Sequence, residues 1–301
     1  MDIIFFANDE IRFLRCNPSK KHLLVRIAAS YQLPEGCLIN GIITNQANVL
    51  SKLQELKKQY SLKKVHICLD SSTVLSKVKQ VPFAKEKNIL NFVKAEFAEV
   101  ASSFEQPVFD YTVLQDKLQA TRQGTVFAVC CDKGLLKTYI DLFASLKVQL
   151  LSIDVAANAV IKLCSKLFQG TTDTFVVAIV DKSSVILNLF VAGKYYFSTR
   201  GRILQPEGSE EFLNEFIQRI SSINQFNKAQ KTGQEIGAVY LVGSIAAEQD
   251  RCKQLLEPLG LQALLLTQLD TFVRKNKIFD MENRLADYIY NLGSVLEQRW
   301  Q

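Results

Sequence analysis

The alternation of apolar and polar positions is sharpest at residues 174–200. There the apolar runs Phe175–Val180 and Val185–Ala192 flank the polar turn Asp181-Lys182-Ser183-Ser184. The second run meets another turn at Gly193-Lys194 and resumes as Tyr195-Tyr196-Phe197-Ser198. Runs this short, rich in β-branched and aromatic residues and bounded by turn formers, predict three hairpin-linked strands. Val176–Val180 is apolar on both faces, so helices are expected to cover the sheet.

From the N-terminus, IIFFA, IRFLR and HLLVRIAA predict short strands, the first two paired around Asn8-Asp9. Asn40-Gly41 is a turn signal, and Thr44-Asn45 opens a helix on which Val49, Leu53, Leu56 and Tyr60 recur at helical spacing, with Lys52, Lys57 and Lys58 outward. Val65–Leu69 is a buried strand. Residues 73–147 read as an inserted β-α-β-β-α module: strand Val74–Val81 ended by Pro82, helix Lys85 to Val100, strands Phe109–Leu114 and Thr125–Cys130 around a polar hairpin at Asp116–Gly124, and helix Leu135 to Leu146. Residues 1–72 with 148–170 form the first subdomain, and residues 171–301 the second half. In that half Ser209 caps a helix with Phe212, Leu213, Phe216, Ile217 and Ile220 inward, and Asn224–Gln234 is expected to be exposed. Val239–Val242 and Leu264–Thr267 are strands, a helix between them carries Leu255, Leu256 and Leu259, and a last helix runs from about Met281 to Trp300.

Composition narrows the picture modestly. A chain of 301 residues that is 48% apolar can bury a large core as one two-lobed unit or two domains. A net charge of +6 falls short of a nucleic-acid-binding signature. No run reaches the length of a membrane span, and the N-terminus lacks the basic start of a signal peptide. Seven scattered cysteines suit buried free thiols in a reducing cytoplasm, and neither His22 nor His66 has metal-ligand spacing.

In order along the chain, INGIITNQANVLSKLQELKKQYSLKKVHICLD, VKQVPFAKEKNILNFVKAEF, VFAVCCDKGLLKTYIDLFASLKVQLLSIDVAANAV, the meander with GKYYFSTR, YLVGSIAAEQDRCKQLLEPLGLQALLL and YIYNLGSVL cover nearly the whole sequence. This order resembles the PilM family of type IV pilus assembly proteins, relatives of the division protein FtsA and of the cytoplasmic part of the secretion protein GspL. The resemblance implies an α/β, actin-like ATPase (ribonuclease H-like) bilobed fold with an FtsA-type inserted subdomain.

The family fold also implies two phosphate-holding Asp-x-Gly turns, and neither is intact. The first falls on Ala7-Asn8-Asp9-Glu10, with no glycine and two adjacent carboxylates. The second falls on Asp181-Lys182-Ser183-Ser184: either Asp181 keeps the family Asp with Ser183 in the glycine position, or Asp181 itself stands there. Lys182 either faces a phosphate or is a solvated turn lysine. The nucleoside turn, usually a glycine pair, is Gly243-Ser244. Asp154 follows a strand and either belongs to a catalytic set or caps the next helix.

These departures lead us to expect a pseudo-ATPase with no required cofactor, ATP with Mg²⁺ being the one candidate, and no catalytic or metal residues. The resemblance further implies a scaffold role at a pilus or secretion platform. A PilN-like single-pass membrane protein would offer its cytoplasmic tail to a cleft walled by Val78, Val81, Pro82, Phe83 and Phe92, or those side chains form the module's own core. Residues 51–100 carry ten Lys against five acidic side chains, suiting an anionic inner leaflet or a merely solvated face. The alternatives are an active actin-like ATPase, an FtsA-like filament former, and a sugar or acetate kinase of the same superfold. An FtsA-like protein is expected to end in an amphipathic anchor, whereas this chain stops at Trp300-Gln301.

Overall fold

A computed structural model of the chain describes residues 1–19, 22–82, 86–118, 123–230, 233–275 and 284–296. They fall into two compact units, residues 1–163 with 273–275 and 288–296, and residues 164–272 with Arg284–Asp287.

In the first unit, β1 (Asp2–Phe6), β2 (Glu10–Pro18) and β3 (Leu23–Gln32) form an antiparallel meander. A two-stranded hairpin follows, β4 (Leu38–Ile39) and β5 (Ile42–Ile43), turning through Asn40 and Gly41 at φ 51° and 75°. Helix α1 (Gln46–Tyr60) starts where the Asn45 side chain accepts the Asn48 N–H, and buries Val49, Leu53 and Leu56. It leads to β6 (Lys64–Leu69), parallel to β1.

The chain then leaves the main sheet as β7 (Leu75–Pro82), α2 (Glu86–Glu96), the short α3 (Ala98–Ala101), β8 (Pro107–Leu118) and β9 (Gln123–Asp132). The three strands form their own sheet in the order β7-β9-β8. Its core is Val81, Ile89, Val93, Phe97, Ala101, Val126, Ala128 and Cys130.

Helix α4 (Lys133–Ser145) was expected to close this module but packs on the main sheet instead. Its Tyr139, Leu142 and Phe143 join Phe6, Val65 and Ile67, and Tyr139 meets Phe6 at 5.0 Å edge-on. Both buried rings of α4, Tyr139 and Phe143, meet Phe6 of β1, which ties the helix to the larger core. β10 (Gln149–Val155) returns parallel to β6, and α5 (Ala156–Leu167) follows.

In the second unit, β11 (Thr174–Asp181), β12 (Ser184–Val191) and β13 (Lys194–Arg202) form the expected meander, with Phe175–Val180 buried throughout. Helix α6 (Glu210–Ala229) is capped by the Ser209 hydroxyl on the Phe212 N–H. It runs well past Ile220, and the expected exposure of Asn224–Gln234 holds for its described residues except Asn224 and Asn227, which are buried. Ile223, Asn224 and Asn227 extend the inward stripe, and Asn227 Nδ2 donates to the Gln234 carbonyl at 2.6 Å. β14 (Ile236–Gly243), α7 (Gln249–Leu256), β15 (Gln262–Leu265) and α8 (Gln268–Phe272) complete the unit. Leu256 is buried on α7, while Leu255 is 37% exposed.

The C-terminal part does not stay with the second unit. β16 (Val273–Lys275) pairs with β3, and α9 (Ile289–Val295) packs on β1, β2 and β6. The last helix is also shorter than expected: residues 285–288 form a 3₁₀ turn, and Leu296 is already extended at ψ 119°. Residues 281–283 and 297–301 lie outside the described residues. Burial of α9 is decided by fit: Gly293 lies flat against the Ala159 carbonyl, Tyr290 stacks on Phe5 at 4.5 Å, and Asn291 Nδ2 donates to the carbonyls of Ile3 and Arg12.

The five meander and parallel strands of each unit lie in one order, β3-β2-β1-β6-β10 and β13-β12-β11-β14-β15. The same topology is therefore used twice.

Candidate functional site

In each such sheet, ligand-binding turns belong at the carboxyl ends of the parallel strands. In the first unit that is the β1–β2 hairpin, held by Ala7 N–H on the Glu10 carbonyl. Asn8 is spent on a neighbour, its Oδ1 accepting the Asn40 N–H at 3.0 Å, while the Asp9 carbonyl accepts from Leu33 N–H at 2.7 Å. Glu10 corrects the expectation of two repelling carboxylates. It is 7% exposed and held by Arg12 Nε, Ser30 Oγ at 2.7 Å and Gln32 Nε2 at 3.0 Å, leaving Asp9 as the acid of the turn.

In the second unit, Asp181 pairs with Ser184, so Lys182-Ser183 is a two-residue hairpin turn. Lys182 is exposed at φ 53°, and the Ser183 carbonyl accepts from Ile203 N–H at 2.8 Å. Gly243 lies next to this turn, pairing with Val180 at φ 82°. A Cβ there would stand 2.0 Å from the Val180 carbonyl oxygen, so the glycine serves strand packing. The Ser244 hydroxyl donates to the Glu207 carboxylate at 2.7 Å. Asp181–Ser184, Gly243 and Ser244 are thus brought together, but the group that sequence reasoning missed is Glu207. It comes from an irregular loop with no motif to mark it.

Asp154 is a helix-start clamp. Its carboxylate accepts from Val155 N–H at 2.9 Å and Asn158 Nδ2 at 2.8 Å, and pairs with Lys162 at 2.6 Å. Among the described residues, no group of three or more His, Cys, Asp or Glu could hold a metal ion. All seven cysteines are free and buried, and His66 Nδ1 meets Ser152 Oγ at 2.8 Å.

The expected peptide wall divides. Val81 is 2% exposed in the module core and so is not presented to a peptide, while Phe92 packs against that core and is half-buried. Along β7, Leu75, Lys77, Lys79 and Val81 face α2: Lys77 lies 5.1 Å over the Phe97 ring and Lys79 pairs with Glu96 at 2.8 Å. Val78 is on the other face, half-buried and paired with Phe127; Pro82 is exposed; Phe83 lies outside the described residues. The pairing does not lapse at Pro82, as its missing N–H suggested, since Pro82 is still in register with Gln123. What β7 lacks, among the described residues, is a neighbour on its other side. It is an edge strand, and an edge strand tolerates proline.

One further feature was hidden in INGII. Ile39 and Ile42 pair across the β4–β5 hairpin and are 47% and 46% exposed. Gly41 between them is pressed on Asp70 and Ser71, where the chain leaves β6 for the module, and Tyr139 Oη donates to its carbonyl at 2.9 Å. The exposed pair therefore stands at the root of the module.

Two sheets of one topology, each with a hairpin turn after its first strand, and a small module set into the first, define a protein of the actin-like ATPase fold. Its similarity to solved structures agrees. A PilM–PilN type IV pilus biogenesis complex matches with a TM-score of 0.77 at 16% identity, over 96% of either chain. The cytoplasmic domain of EpsL, an inner membrane component of the Vibrio cholerae type II secretion system, matches at 0.51 and 10% identity, over 99% of this chain and 95% of that one. The family model for type IV pilus assembly protein PilM matches residues 4–202, and the chain belongs to that family. No curated protein sequence matches it.

Proposed function

We propose that this protein is a non-catalytic scaffold of a type IV pilus or related secretion platform that binds the cytoplasmic tail of a PilN-like membrane protein. It would work in the cytoplasm, held at the inner face of the cytoplasmic membrane through that partner. Among the described residues no helix is long and apolar enough to cross a membrane, which fits recruitment.

The observation that carries the reading is the junction at the root of the module. Two exposed isoleucines stand beside the chain segment that leads into a strand with one free edge among the described residues. An extended tail can add main-chain hydrogen bonds to such an edge and set alternate apolar side chains on such a pair. Kinship with a family for which a PilM–PilN complex is known supports the choice of partner.

The same reading takes the nucleotide site as degenerate. Phosphate needs free backbone N–H groups and no opposing charge. Here Asn8 is engaged by Asn40, Glu207 places a carboxylate on Ser244, and Lys182-Ser183 replace glycine in the second turn. These residues do not fit ATP with Mg²⁺, so no catalytic step is assigned.

The test is titration of a labelled PilN-like tail peptide, followed by anisotropy, against the full chain and the double variant Ile39→Asp, Ile42→Asp. The full chain should bind, and the variant should lose at least about tenfold, which is about 1.4 kcal/mol, with an unchanged Tm. No binding by the full chain refutes the partner, and unchanged binding by the variant refutes the hairpin as its seat.

A further inference from the structure

The amino end of the first unit's parallel strands, opposite the Asn8–Asp9 turn, carries a concentration of lysines that the proposed tail site does not use. Three turns converge there. Helix α1 ends at Tyr60, with Ser61 at φ 51° and the Leu62 N–H returning to the Lys57 carbonyl. The start of β6 follows, where the Lys63 carbonyl accepts from Gln149 N–H at 2.8 Å and Lys64 is in register with Gln149. The α4–β10 turn completes the set, with Lys147 at φ 52°. Lys57 is absorbed, its Nζ donating to the Leu146 carbonyl at 2.7 Å. Lys58, Lys63, Lys64 and Lys147 are exposed, and none has a side-chain partner among the described residues.

The nearby acids are already neutralised. Asp2 takes a two-pronged bond from Arg15, 2.7 Å on each oxygen, and Arg15 also reaches the Tyr60 carbonyl. Glu55 pairs with Lys52, and Asp141 with Lys137. Four like charges on adjoining turns repel one another and cost stability, which an anionic surface would relieve. Helix C-termini soften that repulsion, since α1 and α4 both end here. They also exclude a discrete phosphate site, because such ends offer carbonyls and not N–H groups.

We infer that this lysine cluster is a docking face for an anionic lipid surface. Lysines on mobile stems, acting as point charges without a moulded N–H cradle, suit a fluid sheet of headgroups better than one ligand. Leu151, on the edge strand β10 and 45% exposed, adds an apolar side chain two residues from Gln149. A nucleic acid is the less suitable occupant: the turns present no exposed aromatic ring for base stacking, Tyr60 being stacked on Phe13 at 4.8 Å, and no helix N-terminus for its phosphates. The face would orient a protein recruited by a membrane tail. In that it rests on the proposed function, although lipid binding can be measured without the tail.

The experiment is co-sedimentation of the full chain with vesicles of phosphatidylcholine alone and with phosphatidylserine added, at low and high salt. It is repeated for Lys58→Gln, Lys63→Gln, Lys64→Gln, Lys147→Asn together. A second variant with the same net charge, Lys166→Gln, Lys194→Gln, Lys228→Gln, Lys253→Gln, serves as control. Binding should require phosphatidylserine and low salt, fall by about fivefold for each cluster lysine removed, and persist in the control. Equal losses in both variants would reduce the effect to net charge and overturn the face. So would absence of binding to the charged vesicles, or tighter binding to a short DNA duplex at the same salt. The cluster variant should still bind the tail peptide with an unchanged Tm. Loss of tail binding by wild type with retained lipid binding would refute the partner and leave the face standing.

Discussion

The substitution Gly293→Ala puts the packing of α9 to a direct test. In an exposed helix the change stabilises by about 1 kcal/mol, because glycine is the poorer helix former. Here a Cβ would stand 2.0 Å from the Ala159 carbonyl oxygen and 2.5 Å from its carbon, inside a rigid backbone that cannot rotate away. Ordinary contact needs more than about 3 Å, so α9 must retreat from α5 by over an ångström. Retreat also pulls the Asn291 amide from the Ile3 and Arg12 carbonyls, now 3.2 and 2.9 Å away, with Asn291 fully buried. Overpacking costs about 1–3 kcal/mol and each weakened buried hydrogen bond about 1, against the gain of about 1 in propensity. The net expectation is a loss of about 2–4 kcal/mol, a fall in Tm of roughly 3–6 °C by calorimetry for a chain of 301 residues. The control is Gly237→Ala, in β14, where no atom lies within 4 Å and the change should be near neutral. A Gly293→Ala protein as stable as wild type would refute the close seating of α9.

Three further outcomes follow from the same geometry. Val81→Asp should lower Tm by burying a charge in the module core and should not act as a selective binding mutant, as paired circular dichroism and tail titration would reveal. ATP with Mg²⁺ should leave Tm unchanged; a rise matching about 2.7 kcal/mol at a hundredfold excess over Kd would overturn the degenerate site. Burial pushes the Cys16 and Cys252 thiols up from 9.0 to about 12, so their contribution to stability is fully present below pH 9 and is lost as pH rises toward 12. A flat Tm from pH 8 to about 10.5 would refute that burial.

The order of elements was legible because period-2 and period-3.6 patterns are local. Phe175–Val180 could only be a doubly covered strand, and Ser209 with the stripe beginning at Phe212 could only start a helix. The missing glycines at Asn8–Asp9 and Lys182–Ser183 were equally legible, since a residue type is read directly. Partners were not. The Glu10 carboxylate looked like a charge at the turn, but Arg12 pairs with it, and β2–β3 pairing brings Ser30 and Gln32 to hydrogen-bond it away from the turn. An apolar stripe says that a face is buried but not against what: α4 could serve the module or the main sheet, and the larger core took it. The same ambiguity hid the allegiance of α9, which a glycine–carbonyl contact with α5 decides across 134 residues of chain (293 − 159). Asn40-Gly41 was legible as a turn, but the exposure of the flanking Ile39 and Ile42 followed only from Gly41 being locked on Ser71. Sequence determined the elements and the chemistry each residue carries; which of them meet was settled by long-range packing, where volume and register choose among faces that look alike along the chain.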